Sequence, residues 1–192
     1  MTGETTETQE ARMRALMLAA AVVLAAAPGV AAGFTVTTPD FADGGTIGMA
    51  QVHTRCQGQN RSPALAWSGE PAGTQSFGVT MYDPDAPAPG GWWHWTVFNI
   101  PAGVHGLAAN AGAGTPGLLP AGAGEGRNDF GFPHYGGPCP PPGAPHRYEI
   151  TVYALKTARL PLGPDSPGAR VAAALRANAL ATARITGLYG RR

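Results

Sequence analysis

Two aspartates, two histidines and a tyrosine are the residues whose types and spacing could do chemistry. Asp83 and Asp85 lie in Tyr82-Asp83-Pro84-Asp85-Ala86-Pro87, and His94 stands among tryptophans in Gly91-Trp92-Trp93-His94-Trp95. His146 and Tyr148 lie in His146-Arg147-Tyr148. Carboxylates and imidazoles beside flat apolar rings favour a small pocket with a polar floor. An imidazolium and a phenol hydroxyl are donors to phosphate oxygens, while an aspartate orients a histidine or receives an amine. Nucleophilic catalysis lacks an attacking group. The serines beyond residue 32 are Ser62, Ser68, Ser76 and Ser166, and none sits in a G-x-S-x-G elbow. Asp83, His94 and His146 could share a metal, but no H-E-x-x-H or paired-cysteine spacing supports one. We therefore expect binding without catalysis, with no metal and no cofactor. Blander readings stay open: Asp before Pro is often a turn residue, and a lone histidine on a strand is often packing. A hydrolase using His94 and Asp83 to activate water is the enzymatic alternative.

The elements that must hold these groups are strands. Ser76–Tyr82 alternates, with Phe77, Val79 and Met81 on one face, and it delivers Asp83 at its end. Trp95–Ile100 is the next strand, opened by His94. In His146–Leu155 the residues His146, Tyr148, Ile150, Val152 and Ala154 share one face. Phe34–Thr38, Thr46–Val52 and Leu65–Trp67 read as further strands. Tyr135–Gly143 (YGGPCPPPG) can be neither helix nor central strand, so it is a stiff turn, and its Gly136, Gly137 and Cys139 N–H groups could form an anion nest. An anion held by imidazolium donors would bind less tightly as pH rises through roughly 6 to 7. His53, His105 and His134 sit in loops without such company and read as surface residues. Leu107–Gly126 is a Gly/Ala-rich loop, read as mobile cover. Its Gly112–Gly117 matches G-x-G-x-x-G formally, but Pro116 lies inside and no strand–helix frame surrounds it. Hairpin-like turns between strands predict an antiparallel all-β core. Only the C-terminus reads as helical: Ser166 as N-cap, Pro167 behind it, and helix to about Ile185, stopped by Gly187.

Composition narrows the function classes. The 192 residues carry 13% charged side chains and a formal charge of +1, which gives no footprint for nucleic acid. Arg12 and Arg14 precede the apolar run Ala15–Ala27, and Val30-Ala31-Ala32 offers a small-residue cleavage site, the pattern of an export signal over residues 1–32. Met13 begins that signal neatly, so residues 1–12 read as a start-site extension. Residues 33–192 then form one domain, periplasmic or secreted, with no integral membrane segment after cleavage. In an oxidising compartment the two cysteines, Cys56 and Cys139, most simply pair, and two buried thiols are the alternative.

Six motifs in order carry a resemblance: SPALAW (62–67), DPDAP (83–87), GWWHW (91–95), NDFG (128–131), YGGPCPPPG (135–143) and HRY (146–148). The chain resembles the phosphatidylethanolamine-binding protein family, in its bacterial Raf-kinase-inhibitor-like branch. The resemblance implies a mainly β fold, an antiparallel β-sandwich core with C-terminal helices. It also implies a small pocket for phosphate-type anions or phosphorylated head groups. Carried over by motif, Asp83 and His94 line that pocket, Trp92 forms a wall, and Pro140 and Pro141 form the rim. The Cys139 N–H points inward, and His146 and Tyr148 complete the site. Asp85 is closer to structural. Trp93 replaces a second histidine of eukaryotic members, and Asn178 stands where many bacterial relatives carry histidine, so no role is assigned there. Kinase inhibition does not carry over to an exported chain. A protein-inhibitor or scaffold module with an incidental pocket is the second functional reading.

Overall fold

Strand β4 (Ser76–Asp83) is buried along both faces, because apolar layers cover it from both sides. A computed structural model describes residues 33–191; the export signal expected over residues 1–32 lies outside them. β4 pairs on one side with β5 (Trp92–Pro101) and on the other with β8 (His146–Leu155), both antiparallel. The full sheet has six strands in the order β2-β9-β8-β4-β5-β7, with β2 at Gly45–Thr46, β7 at Gly124–Glu125 and β9 at Ala179–Tyr189. A three-stranded sheet, β1-β3-β6, uses Thr35–Thr37, Leu65–Ser68 and Gly106–Leu107. The antiparallel expectation holds for these pairings except one, since β2 runs parallel to β9.

The alternation of β4 and β8 explains the layers. Phe77, Val79 and Met81 from β4 join Tyr148, Ile150, Val152 and Ala154 from β8 in one core, together with Val36, Leu65 and Trp67 from the smaller sheet. The opposite face packs Tyr153 and Leu155 against Val171 and Leu175 of helix α1 (Gly168–Asn178). Gly78 makes that second layer close: a Cβ there would collide with the Leu175 side chain.

The C-terminus departs from the expected helices. α1 stops at Asn178, and Ala179–Tyr189 is a strand paired along the length of β8, from His146↔Tyr189 to Leu155↔Ala179. Ala, Leu and Arg favour a helix locally, but Ala183, Ile185 and Gly187 alternate inward against exposed Leu180, Thr182 and Arg184. The neighbouring β8 edge decides. Nor is Ser166 the helix cap: Pro167 occupies that position without a side-chain cap, and Ser166 Oγ instead accepts the Gly163 N–H at 3.1 Å. The 107–126 loop is built of turns and tied to the core. Gly112 N–H donates to Ser62 Oγ at 2.9 Å, and Trp95 Nε1 donates to Glu125 Oε1 at 2.6 Å.

Candidate ligand-binding site

A bulge places the central histidine. Met81 pairs with Trp95 and Tyr82 with Trp93, so His94 is the extra residue between two ladder positions. Such a bulge re-aims a side chain: His94 joins Trp95 on the face that carries Asp83 and Tyr148. The His94 carbonyl, taken off the ladder, accepts the Gly136 N–H at 3.0 Å.

A cavity of about 190 Å³ opens where β4 ends and β5 and β8 begin. Asp83, Trp92, His94, Cys139, Pro140, Pro141, His146 and Tyr148 line it, so the eight residues anticipated from the sequence meet in one place. Phe130 and Ala86–Ala88 complete the wall, and the sequence reading did not assign them. The NDFG motif was the available signal for Phe130. Its Asn128 is buried and holds the segment, accepting the Phe130 and Phe132 N–H groups at 3.0 and 3.2 Å and donating to the His134 carbonyl at 2.6 Å.

Asp83 acts as turn residue and site residue at once. Its Oδ1 accepts the Asp85 N–H at 2.8 Å, and its Oδ2 lies 2.8 Å from His146 Nδ1. Asp85 does not share that face, because Pro84 ends the extended geometry. It turns outward onto Arg147, which donates from Nε at 2.9 Å and from Nη2 at 2.7 Å. The guanidinium hydrogen bond holds the Asp85 carboxyl down, at about 2.

His94 has a defined role in hydrogen bonding. Its Nδ1 lies 2.6 Å from the Gly136 carbonyl, which can only accept, so Nδ1 carries a proton. Burial, opposed by that carbonyl and by Asp83, lowers its pKa from 6.5 to about 4. The ring is therefore neutral near pH 7, and Nε2 presents a lone pair. Near pH 7 His94 is therefore not the imidazolium donor expected from the sequence.

The donors come from elsewhere. Tyr148 Oη and Trp92 Nε1 are buried and find no hydrogen-bond partner; the one other such side-chain atom among the described residues is Trp67 Nε1. Burial first, and the Asp83 charge second, raise the Tyr148 hydroxyl above the ordinary phenol range, which keeps it a donor. The anticipated glycine nest does not form. Gly136 N–H is given to His94, and Gly137 N–H donates to Asn60 Oδ1 at 2.7 Å. A Cβ on Gly137 would collide with the Gln51 carbonyl, so this close backbone approach needs glycine. Of the three N–H groups, that of Cys139 donates to no acceptor among the described residues.

Cys139 is bonded to Cys56 with Cα atoms 5.6 Å apart, which staples the proline turn to the first loop. His53, expected on the surface, is buried: it stacks on Phe130 at 5.1 Å, and its Nδ1 accepts the Arg55 N–H at 3.0 Å. Burial and the nearby Arg55 charge lower its pKa. His134 and His105 are partly exposed beside Glu125 and Glu70, at 3.3 and 3.6 Å.

Two packed β-sheets, one α-helix among the described residues and a pocket at the sheet ends define a β-sandwich protein. The phosphatidylethanolamine-binding protein family profile matches residues 37–190, and the chain belongs to that family. YbcL of Escherichia coli is 47% identical over 180 residues, covering 92% of this chain and 98% of that protein. LppC of Mycobacterium tuberculosis, named as a lipoprotein, is 37% identical over 156 residues, covering 81% of this chain and 71% of its own length. The crystal structure of E. coli YbcL, described as a new member of the mammalian family, superposes with a TM-score of 0.82 at 49% identity, over 84% of this chain and all of that one. A Chlamydia trachomatis homologue superposes with a TM-score of 0.70 at 29% identity, over 83% and 99% of the two chains.

Proposed function

We propose that this protein is an exported, non-catalytic binding protein that holds a phosphate-type anion or a phosphorylated small molecule in the Asp83–His94–Tyr148 pocket. One observation carries the reading: two pocket-lining side chains, Tyr148 and Trp92, keep buried donors without protein partners. Leaving such a group unpaired costs about 1–3 kcal/mol, which an oxyanion acceptor would recover. The family name agrees with that chemistry in one respect, the phosphoryl group that its lipid carries. Export is supported by the Cys56–Cys139 bond, by the lipoprotein-named relative and by the signal-like residues 1–32. Among the described residues no helix is long and apolar enough to cross a membrane.

Titration with inorganic phosphate, followed by calorimetry and by NMR of the Tyr148 and Trp92 side chains, tests the proposal. Saturable binding with both signals moving is expected. Tyr148→Phe should weaken it roughly fivefold, the worth of about one hydrogen bond, without lowering the unfolding midpoint. No saturation at millimolar phosphate would sink the reading.

A further inference from the structure

The pocket is a poor receptor for a bare anion. Its floor carries the Asp83 carboxylate, which already receives the Asp85 N–H and faces His146 Nδ1, and such a group repels an oxyanion. Beside it, His94 is locked by the 2.6 Å contact with Gly136 into the tautomer whose free nitrogen, Nε2, is an acceptor. Burial at 3% exposure opposes charging that ring. Against these acceptors stand Tyr148 Oη, Trp92 Nε1 and the Cys139 N–H. A ligand that satisfies both sets must accept through some oxygens and donate through another.

We propose that the site selects phosphorus oxyacids that still carry a P–OH, namely hydrogen phosphate and singly protonated phosphomonoesters, and rejects sulfate and phosphodiesters. This rests on the anion reading above and sharpens it. Sulfate and its monoesters keep no proton near neutral pH, and a phosphodiester has no hydroxyl on phosphorus. Either would leave His94 Nε2 and Asp83 facing lone pairs. The walls, Phe130, Pro87, Pro140 and Pro141 among them, suit a small apolar substituent on a monoester. A diacyl phospholipid head group, being a diester, falls on the rejected side.

Inorganic phosphate, methyl phosphate, sulfate, methyl sulfate, dimethyl phosphate and glycerophosphoethanolamine should be titrated against the full chain at pH 6, where a phosphomonoester with a second pKa of about 6 keeps its P–OH in about half of its molecules. We expect phosphate and methyl phosphate to bind at least tenfold more tightly than the other four. Sulfate or dimethyl phosphate binding as tightly as phosphate would overturn the selectivity and leave the anion pocket standing. Tight glycerophosphoethanolamine with weak dimethyl phosphate would also overturn it, by showing that an ammonium supplies the donor. If none of the six binds, the anion reading itself fails. In Asp83→Asn, an amide can donate where a carboxylate repels, so sulfate should gain at least tenfold while phosphate does not. The wild-type ranking is decisive if that variant does not fold.

Discussion

His94 behaves as a buried base, and its protonation couples to stability. Its folded pKa near 4 lies below the unfolded 6.5, so the unfolded chain binds more protons between those values. The contribution of neutral His94 is full above pH 6.5 and is lost as pH falls toward 4. Between pH 7 and 5 the loss should be roughly 2 kcal/mol. His53, also lowered, acts with the same sign. Glu125, raised chiefly by burial, acts oppositely, since its contribution is present at low pH and lost as pH rises. Urea denaturation of wild type and His94→Gln at both pH values isolates His94, because the other groups are common to both. A wild-type slope no steeper than the variant's would refute the assignment. The protonation state was not legible in the sequence: Trp92, Trp93 and Trp95 announce aromatic company, but burial is set by Phe130 and Tyr148, distant along the chain.

At the level of elements, alternation was the readable signal. Phe77, Val79 and Met81 on β4, and His146, Tyr148, Ile150 and Val152 on β8, pointed to one face, and that face carries the site. Two features were hidden because partner strands determine them. The bulge at His94 depends on the register of β5 against β4. The strand nature of Ala179–Tyr189 depends on the β8 edge, against a helix-favouring composition. The opposite face offers a control. Gly78→Ala would press on Leu175 and should destabilise by about 1–3 kcal/mol, read from the unfolding midpoint. Phosphate affinity should be unchanged, since the helix layer lies across the sheet from the pocket. A parallel loss of affinity would show that the two layers are coupled.

For the whole molecule, the disulfide joins residues 83 apart and anchors the pocket rim beside Pro140 and Pro141. A loop of that length implies a stabilisation of about 4.5 kcal/mol on the chain-entropy account. Cys56→Ser with Cys139→Ser should lower the unfolding free energy by roughly that amount and weaken phosphate binding through the freed rim. An unchanged midpoint would mean that the polar loop around Cys56 is held by its hydrogen bonds alone. The pairing was legible from the count of two cysteines. The pocket was legible because its residues fall in short motifs, each at a strand end or in a proline turn.

The late strand β9 has a consequence for the order of events in the life of the chain. It bonds β8 along one edge and β2 along the other, and Thr186 N–H donates to Asp43 Oδ1 across a separation of 143 residues. The six-stranded sheet therefore cannot close until the chain through Tyr189 is available, and pairings this remote form slowly. For the export proposed above, a sheet that closes this late would leave the chain open for threading through a narrow passage.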